Sequence, residues 1–123
     1  MERKSVLVVD DSETIRKQVG GALAHAGYDI VEAVDGLEAL DRIDERRFSL
    51  VILDVNMPRL NGIELLERLD PKKRGLLVLM LTTEVEPAII ERAKKAGARG
   101  WMIKPVNLDQ LVRTVEKLIG TPA

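Results

Sequence analysis

The sequence predicts an α/β domain in which a five-stranded parallel sheet is covered by helices on both faces. Three observations carry this. Five apolar runs of strand length alternate with longer amphipathic stretches along the 123 residues. Several runs are apolar throughout, as strands buried on both faces are. No linker, low-complexity tract or internal repeat breaks the alternation, so right-handed crossovers can carry each strand to the next.

The first run is Val6–Val9. The helical pattern after it opens with Ser12 as N-cap and places Ile15, Val19, Leu23 and Ala26 three or four residues apart. Gly20-Gly21 interrupts that pattern, and each glycine costs about 1 kcal/mol relative to alanine. Close packing of the helix on the sheet would account for the pair. A weaker run, Ile30–Val34, leads to Leu37, Leu40 and Ile43 after Asp35-Gly36. The third run, Leu50–Leu53, leads to Ile63, Leu66 and Leu69 after Asn61-Gly62. The fourth, Leu76–Leu81, precedes a helix that starts at Pro87, carries Ile89, Ile90, Ala93 and Ala96, and stops at Gly97. After the fifth run, Trp101–Ile103, a last helix runs from Leu108 to Ile119. It opens with Asn107 and Gln110 as a variant capping box.

Composition narrows the function. Hydrophobic residues make up 46% and aromatic residues only 2%, so the core is built from aliphatic side chains. Nineteen basic residues against twenty acidic ones give a net charge of -1, which argues against nucleic acid as a partner but leaves room for a local basic patch. With no cysteine, disulfides and thiolate metal sites are excluded. Met1 to Ser5 is charged, but the apolar run behind it is too short for a signal peptide or a membrane span. The expected compartment is the cytoplasm, with no membrane partner and a single domain over 1–123.

The chemistry lies in what ends each strand. Val6–Val9 ends in Asp10-Asp11, Leu50–Leu53 in Asp54, Leu76–Leu81 in Thr82, and Trp101–Ile103 in Lys104-Pro105. In open parallel sheets the carboxyl edge, near the reversal of strand order, is where ligands bind. Two carboxylates 5 Å apart repel by about 3 kcal/mol at an effective dielectric near 20. If Asp10, Asp11 and Asp54 converge, Lys104 alone cannot balance them. A hard divalent cation with oxygen ligands, magnesium above all, completes the balance. Such a site is fitted to phosphoryl transfer: Asp54 as carboxylate nucleophile, Lys104 and the metal neutralising phosphoryl oxygens, and the Thr82 hydroxyl donating to one of them.

The segments Val-Asp-Asp-Ser at 9–12, Leu-Asp-Val-Asn-Met-Pro at 53–58, Leu-Thr-Thr-Glu at 81–84 and Lys-Pro at 104–105 resemble a two-component response regulator receiver domain. The resemblance covers the whole chain and implies the flavodoxin-like (βα)5 three-layer fold with strand order 2-1-3-4-5. It implies that Asp54 is the phosphoacceptor, fed by a sensor histidine kinase. It further implies that Asp11, Asp54 and the backbone carbonyl of Asn56 hold Mg2+, with Asp10 contributing partly through water. Lys104 would pair with the phosphoryl group, Pro105 would follow a cis bond, and Thr82 would be the switch hydroxyl.

Trp101 falls at the family's switch aromatic, where many relatives carry Tyr or Phe, and its other reading is plain core packing. Val106 stands where Phe is common. Asn56 and Glu84 occupy the two variable positions that tune dephosphorylation, and together with Ala98–Val106 they look most like the chemotaxis regulators of the CheY type. The chain ends without an output domain, so signalling is expected through docking of a downstream partner, such as a motility switch, on the surface of the fourth helix, fifth strand and fifth helix.

Two other functions compete. The domain could be a phosphorelay intermediate or phosphate sink. A phosphohydrolase with an aspartyl-phosphate intermediate would need a second acid two residues after the nucleophile, where Asn56 stands. The expected answer is therefore no enzyme beyond its own phosphorylation and dephosphorylation. His25 is read as a surface or capping residue. Arg46-Arg47 and Lys72-Lys73-Arg74 are read as solvated loop charges, and Arg92, Lys94, Lys95 and Arg99 as a candidate docking face.

Overall fold

The computed structural model describes residues 3–123, so Met1 and Glu2 of the charged N-terminal stretch lie outside the described residues. Five parallel strands, β1 (Ser5–Val9), β2 (Asp29–Ala33), β3 (Leu50–Leu53), β4 (Val78–Thr82) and β5 (Gly100–Ile103), form one sheet in the order β2-β1-β3-β4-β5. Six helices connect and cover them: α1 (Glu13–Ala26), α2 (Gly36–Glu45), α3 (Gly62–Leu69), α4 (Pro71–Arg74), α5 (Pro87–Ala96) and α6 (Leu108–Ile119). This is the flavodoxin-like architecture, with the expected fourth and fifth helices appearing as α5 and α6.

Side chains alternate across each strand, and the core divides accordingly. Val6 and Val8 of β1, Ile52 of β3 and Leu79 of β4 face a cluster with Val19 and Leu23 of α1 and Leu111 and Val115 of α6. Leu7, Val9, Leu53 and Met80 face the opposite cluster, with Ala39 of α2, Leu66 of α3 and Ala93 of α5. The sheet is thus sealed on both sides, which is why the central strands read as unbroken apolar runs.

The helix ends follow local chemistry. Ser12, Asp35, Asn61 and Asn107 each accept a backbone N–H from the residue three places on. The reciprocal capping box forms at Asn61, where Glu64 reaches back to the Asn61 N–H at 3.2 Å. At Asn107 only the side-chain cap is made, so the box expected there is half built. Gly97 ends α5 in the left-handed conformation. Gly20 lies against Ile30, whose methyl would be 3.2 Å from an added Cβ, so close packing on β2 explains it. Gly21 faces open space, and nothing in the structure requires glycine there.

Four expectations are corrected or qualified. The fourth strand begins at Val78, not Leu76, because the Leu76 N–H turns back to the Pro71 carbonyl at 2.9 Å and closes a turn. Lys72-Lys73-Arg74 is not loop: Pro71 starts a single helical turn, and Arg74 Nε donates to the Leu69 carbonyl at 2.9 Å. Arg46 is not a free charge, since its Nη2 donates to Ser5 Oγ (2.6 Å) and Asp29 Oδ2 (2.8 Å) while its guanidinium lies 5.4 Å from the centroid of the Phe48 ring. Arg92, read as part of a docking face, makes a two-pronged bridge to Glu67 that ties α5 to α3.

Candidate functional site

The register of the central strands brings the acids together. Val9 pairs with Leu53, so Asp10 and Asp54 leave neighbouring strands side by side. The ladder continues one step further, with the Asp54 N–H donating to the Val9 carbonyl at 3.1 Å. Thr82 pairs with Ile103, and the Lys104 N–H donates to the Thr82 carbonyl at 2.9 Å, which carries Lys104 back over the same edge. The Lys104–Pro105 bond is cis.

Asp10, Asp11 and Asp54 each offer a carboxylate oxygen within 4.8 Å of the others, the one group of this kind among the described residues. Asp10 and Asp54 are buried, and Asp11 is exposed. Lys104 Nζ donates to Asp10 Oδ2 at 2.6 Å and to Asp54 Oδ2 at 3.0 Å. An ammonium has three protons, so one is left for an incoming acceptor. Asp10 Oδ1 takes the Ser12 N–H at 2.9 Å, and Asp54 Oδ1 takes the Asn56 N–H at 3.4 Å.

The electrostatics match this crowding. Burial is the largest influence on Asp10 and pushes its carboxyl above the usual aspartate value, against the pull of Lys104 and the Ser12 N–H. Burial alone would lower Lys104, but its hydrogen bonds to Asp10 and Asp54, and their charges, hold the ammonium above its usual value. Three carboxylates and one ammonium leave a net charge of -2, the deficit that one divalent cation cancels. The donor set is all oxygen, which suits a hard ion. The Asn56 carbonyl accepts no protein hydrogen bond among the described residues and keeps its lone pairs available.

Thr82 is fully buried, and its Oγ1 accepts the Glu84 N–H at 3.2 Å. Trp101 is half-buried against the α5 side of the core, and its indole N–H donates to the Glu84 carbonyl at 3.1 Å. Both polar groups of Glu84's backbone are thus held, one by the β4 hydroxyl and one by the β5 aromatic. Asn56 and Glu84 lie in the two loops beside Asp54 and Thr82. His25 sits exposed in the last turn of α1, away from the acids.

Two supporting residues escaped the sequence reading. Arg16 Nη1 donates to the Asp10 carbonyl at 2.7 Å while its Nε holds Glu32 at 3.0 Å, fixing the backbone that carries the acid pair. Its place one turn after Ser12, next to the Asp-Asp motif, was the available signal. Arg59, in the left-handed region at φ 67°, holds the buried Asp35 at 2.7 Å and anchors the loop after Asp54 to the start of α2. No local pattern announces a contact across 24 residues.

The same loop is clamped sterically. A Cβ on Gly62 would collide with Asp54's carbonyl oxygen, and one on Gly36 would lie 2.5 Å from the Leu60 carbonyl. Only glycine admits such approach.

Comparison with known proteins gives the family. Residues 6–116 match the response regulator receiver domain family. The chain is 35% identical over 120 residues to the chemotaxis protein CheY1 of Helicobacter pylori, covering 94% of this chain and 97% of that one. It is also 35% identical over 118 residues to the transcriptional regulatory protein PdtaR of Mycobacterium tuberculosis, covering 95% of this chain but only 57% of PdtaR. The structure of the chemotaxis protein CheY4 of Vibrio cholerae superposes with a TM-score of 0.87 at 39% identity, covering 94% of this chain and 98% of that one. Acids, hydroxyl and lysine gathered on one sheet edge, together with a family match over nearly the whole length, place this chain among the response regulator receiver domains.

Proposed function

We propose that Asp54 accepts a phosphoryl group from the phosphohistidine of a sensor histidine kinase in a Mg2+-dependent reaction, and that the phosphorylated domain signals by docking on a partner protein. One observation carries this: a buried aspartate at a strand end shares a lysine with a second buried aspartate, in a cluster two positive charges short of neutrality.

In the step proposed, an Asp54 carboxylate oxygen attacks phosphorus, the bond from phosphorus to the donor imidazole breaks, and the electron pair leaves with the nitrogen. Lys104 turns its free proton to a phosphoryl oxygen. Asp11, Asp54 and the Asn56 carbonyl would hold Mg2+, with Asp10 contributing partly through water. The metal, when bound, supplies charge neutralisation at the phosphoryl oxygens.

The Thr82 hydroxyl then donates to a phosphoryl oxygen. Rotation of that side chain removes the acceptor from the Glu84 N–H, and Glu84 is left held only through its carbonyl, by Trp101. The change surfaces on α5, β5 and α6, where the partner docks. Asn56, which is exposed, and Glu84, which is half-buried, flank the entry for the water that ends the signal. The likeness to CheY1 and CheY4 supports a chemotaxis or motility role, and a phosphorelay intermediate or phosphate sink is the alternative.

The test is Trp101 fluorescence during titration with Mg2+ and then beryllofluoride or acetyl phosphate. A saturable change that requires Mg2+ and vanishes in Asp54→Asn, with an unchanged circular dichroism spectrum, is expected. A response that persists in Asp54→Asn overturns the reading.

A further inference from the structure

At the amino-terminal edge of the sheet, opposite the acids, two grooves open where the chain enters β3, β4 and β5. One, of about 280 Å³, is rimmed by Arg46, Arg47 and Arg74, and the other, of about 360 Å³, by Lys72, Lys94 and Arg99. They share Gly75 and Leu76 and so form one furrow, and no Asp or Glu lines either part. Ile43 and Phe48 contribute apolar surface to one half, and Leu77 and Ala98 to the other, which is the more apolar of the two.

Arg46 is committed to Asp29 and Ser5, and Arg74 to the Leu69 carbonyl and, at 3.9 Å, to Asp44. The side chains of Arg47, Lys72, Lys94 and Arg99 are exposed and make no hydrogen bond or ion pair among the described residues. Four unpaired, exposed cations around one furrow make a local positive patch in a chain whose net charge is -1, and such a patch attracts an anionic partner.

We infer that this furrow docks a short acidic segment of a partner protein, with apolar residues interleaved among its Asp and Glu. The carboxylates meet the rim and the apolar side chains cover the floor. Nucleic acid fits less well. Its backbone is charged throughout and offers the apolar part of the floor nothing. Because the furrow lies at the far end of the strands from Asp54, the contact would hold a partner without obstructing a phosphoryl donor.

The probe is a fluorescein-labelled peptide of alternating Glu and Leu, followed by anisotropy against the full chain, with an alternating Lys and Leu peptide and a labelled single-stranded DNA beside it. Saturable binding of the acidic peptide alone, weakened by salt, is expected, as is a loss of about ten-fold or more in the triple variant Arg47→Glu, Lys72→Glu, Arg99→Glu. The pair Lys94→Gln, Arg99→Gln should fall between, and Asp54→Asn should bind like the wild type. All of these positions on the furrow are exposed and unpaired, and circular dichroism checks that the variants fold. Equal binding by the triple variant, absence of saturable binding, or tighter binding of the DNA would each overturn the proposal.

Discussion

Lys104 stands between two carboxylates that would otherwise repel each other in a space largely closed to water. Removing one partner from a buried charge group leaves the rest uncompensated, at a cost of about 3 kcal/mol or more. Lys104→Met should therefore lose about that much stability in EDTA, and added Mg2+ should restore a larger share of it than it adds to the wild type. Urea unfolding with and without Mg2+ measures both, and an equal Mg2+ effect in the two proteins would contradict the charge argument. Asp10, Asp11, Asp54, Thr82 and Lys104 were legible in the sequence because a parallel sheet delivers all its strand ends to one edge. Arg16 and Arg59 were not, because their roles depend on which loops meet in space. The indole bond of Trp101 to Glu84 belongs to the same class: the sequence marks the aromatic, but not its acceptor.

Among the elements, α1 and β2 are joined by an ion-pair group that packing alone does not require. Glu32 of β2 accepts from Lys17 at 2.9 Å and from Arg16 at 3.0 Å. The Lys17 hydrogen bond first, and Arg16 beside it, hold the Glu32 carboxyl below the usual glutamate value of about 4.5 in spite of partial burial. A carboxyl lowered on folding contributes stability above its unfolded value and loses it as pH falls through the folded one. Glu32→Gln should accordingly be less stable than the wild type by up to about 1 kcal/mol at neutral pH, with the difference closing well below pH 4.5. Denaturant unfolding across that range tests it, and a gap that widens on acidification would refute it. Element boundaries were legible wherever a cap stood in the sequence, as at Ser12, Asn61, Pro87 and Gly97. The α4 turn was missed because four residues carry no periodicity, and the start of β4 because Leu76 and Leu77 are apolar whether or not they join the ladder.

Across the molecule, the sheet separates a core shared with α1 and α6 from one shared with α2, α3 and α5, and both reach the edge that carries the acids. Two loops flank Asp54 there and differ in how they are held. The loop from Asp54 to Gly62 is fixed by Arg59 and by contact of backbone on backbone. The stretch after Thr82 hangs on single hydrogen bonds at Glu84, next to Val85, which is 62% exposed. Amide exchange with Mg2+ and beryllofluoride should change protection at Glu84 and Glu86 and leave Gly62 as it was; the same change in both loops would refute this. The missing Cβ at Gly62 has a consequence beyond fit. With α3 braced against the very peptide that bears Asp54, a methyl at position 62 would have to part the helix from that peptide, so the hydrogen there sets how closely the acid's backbone is backed.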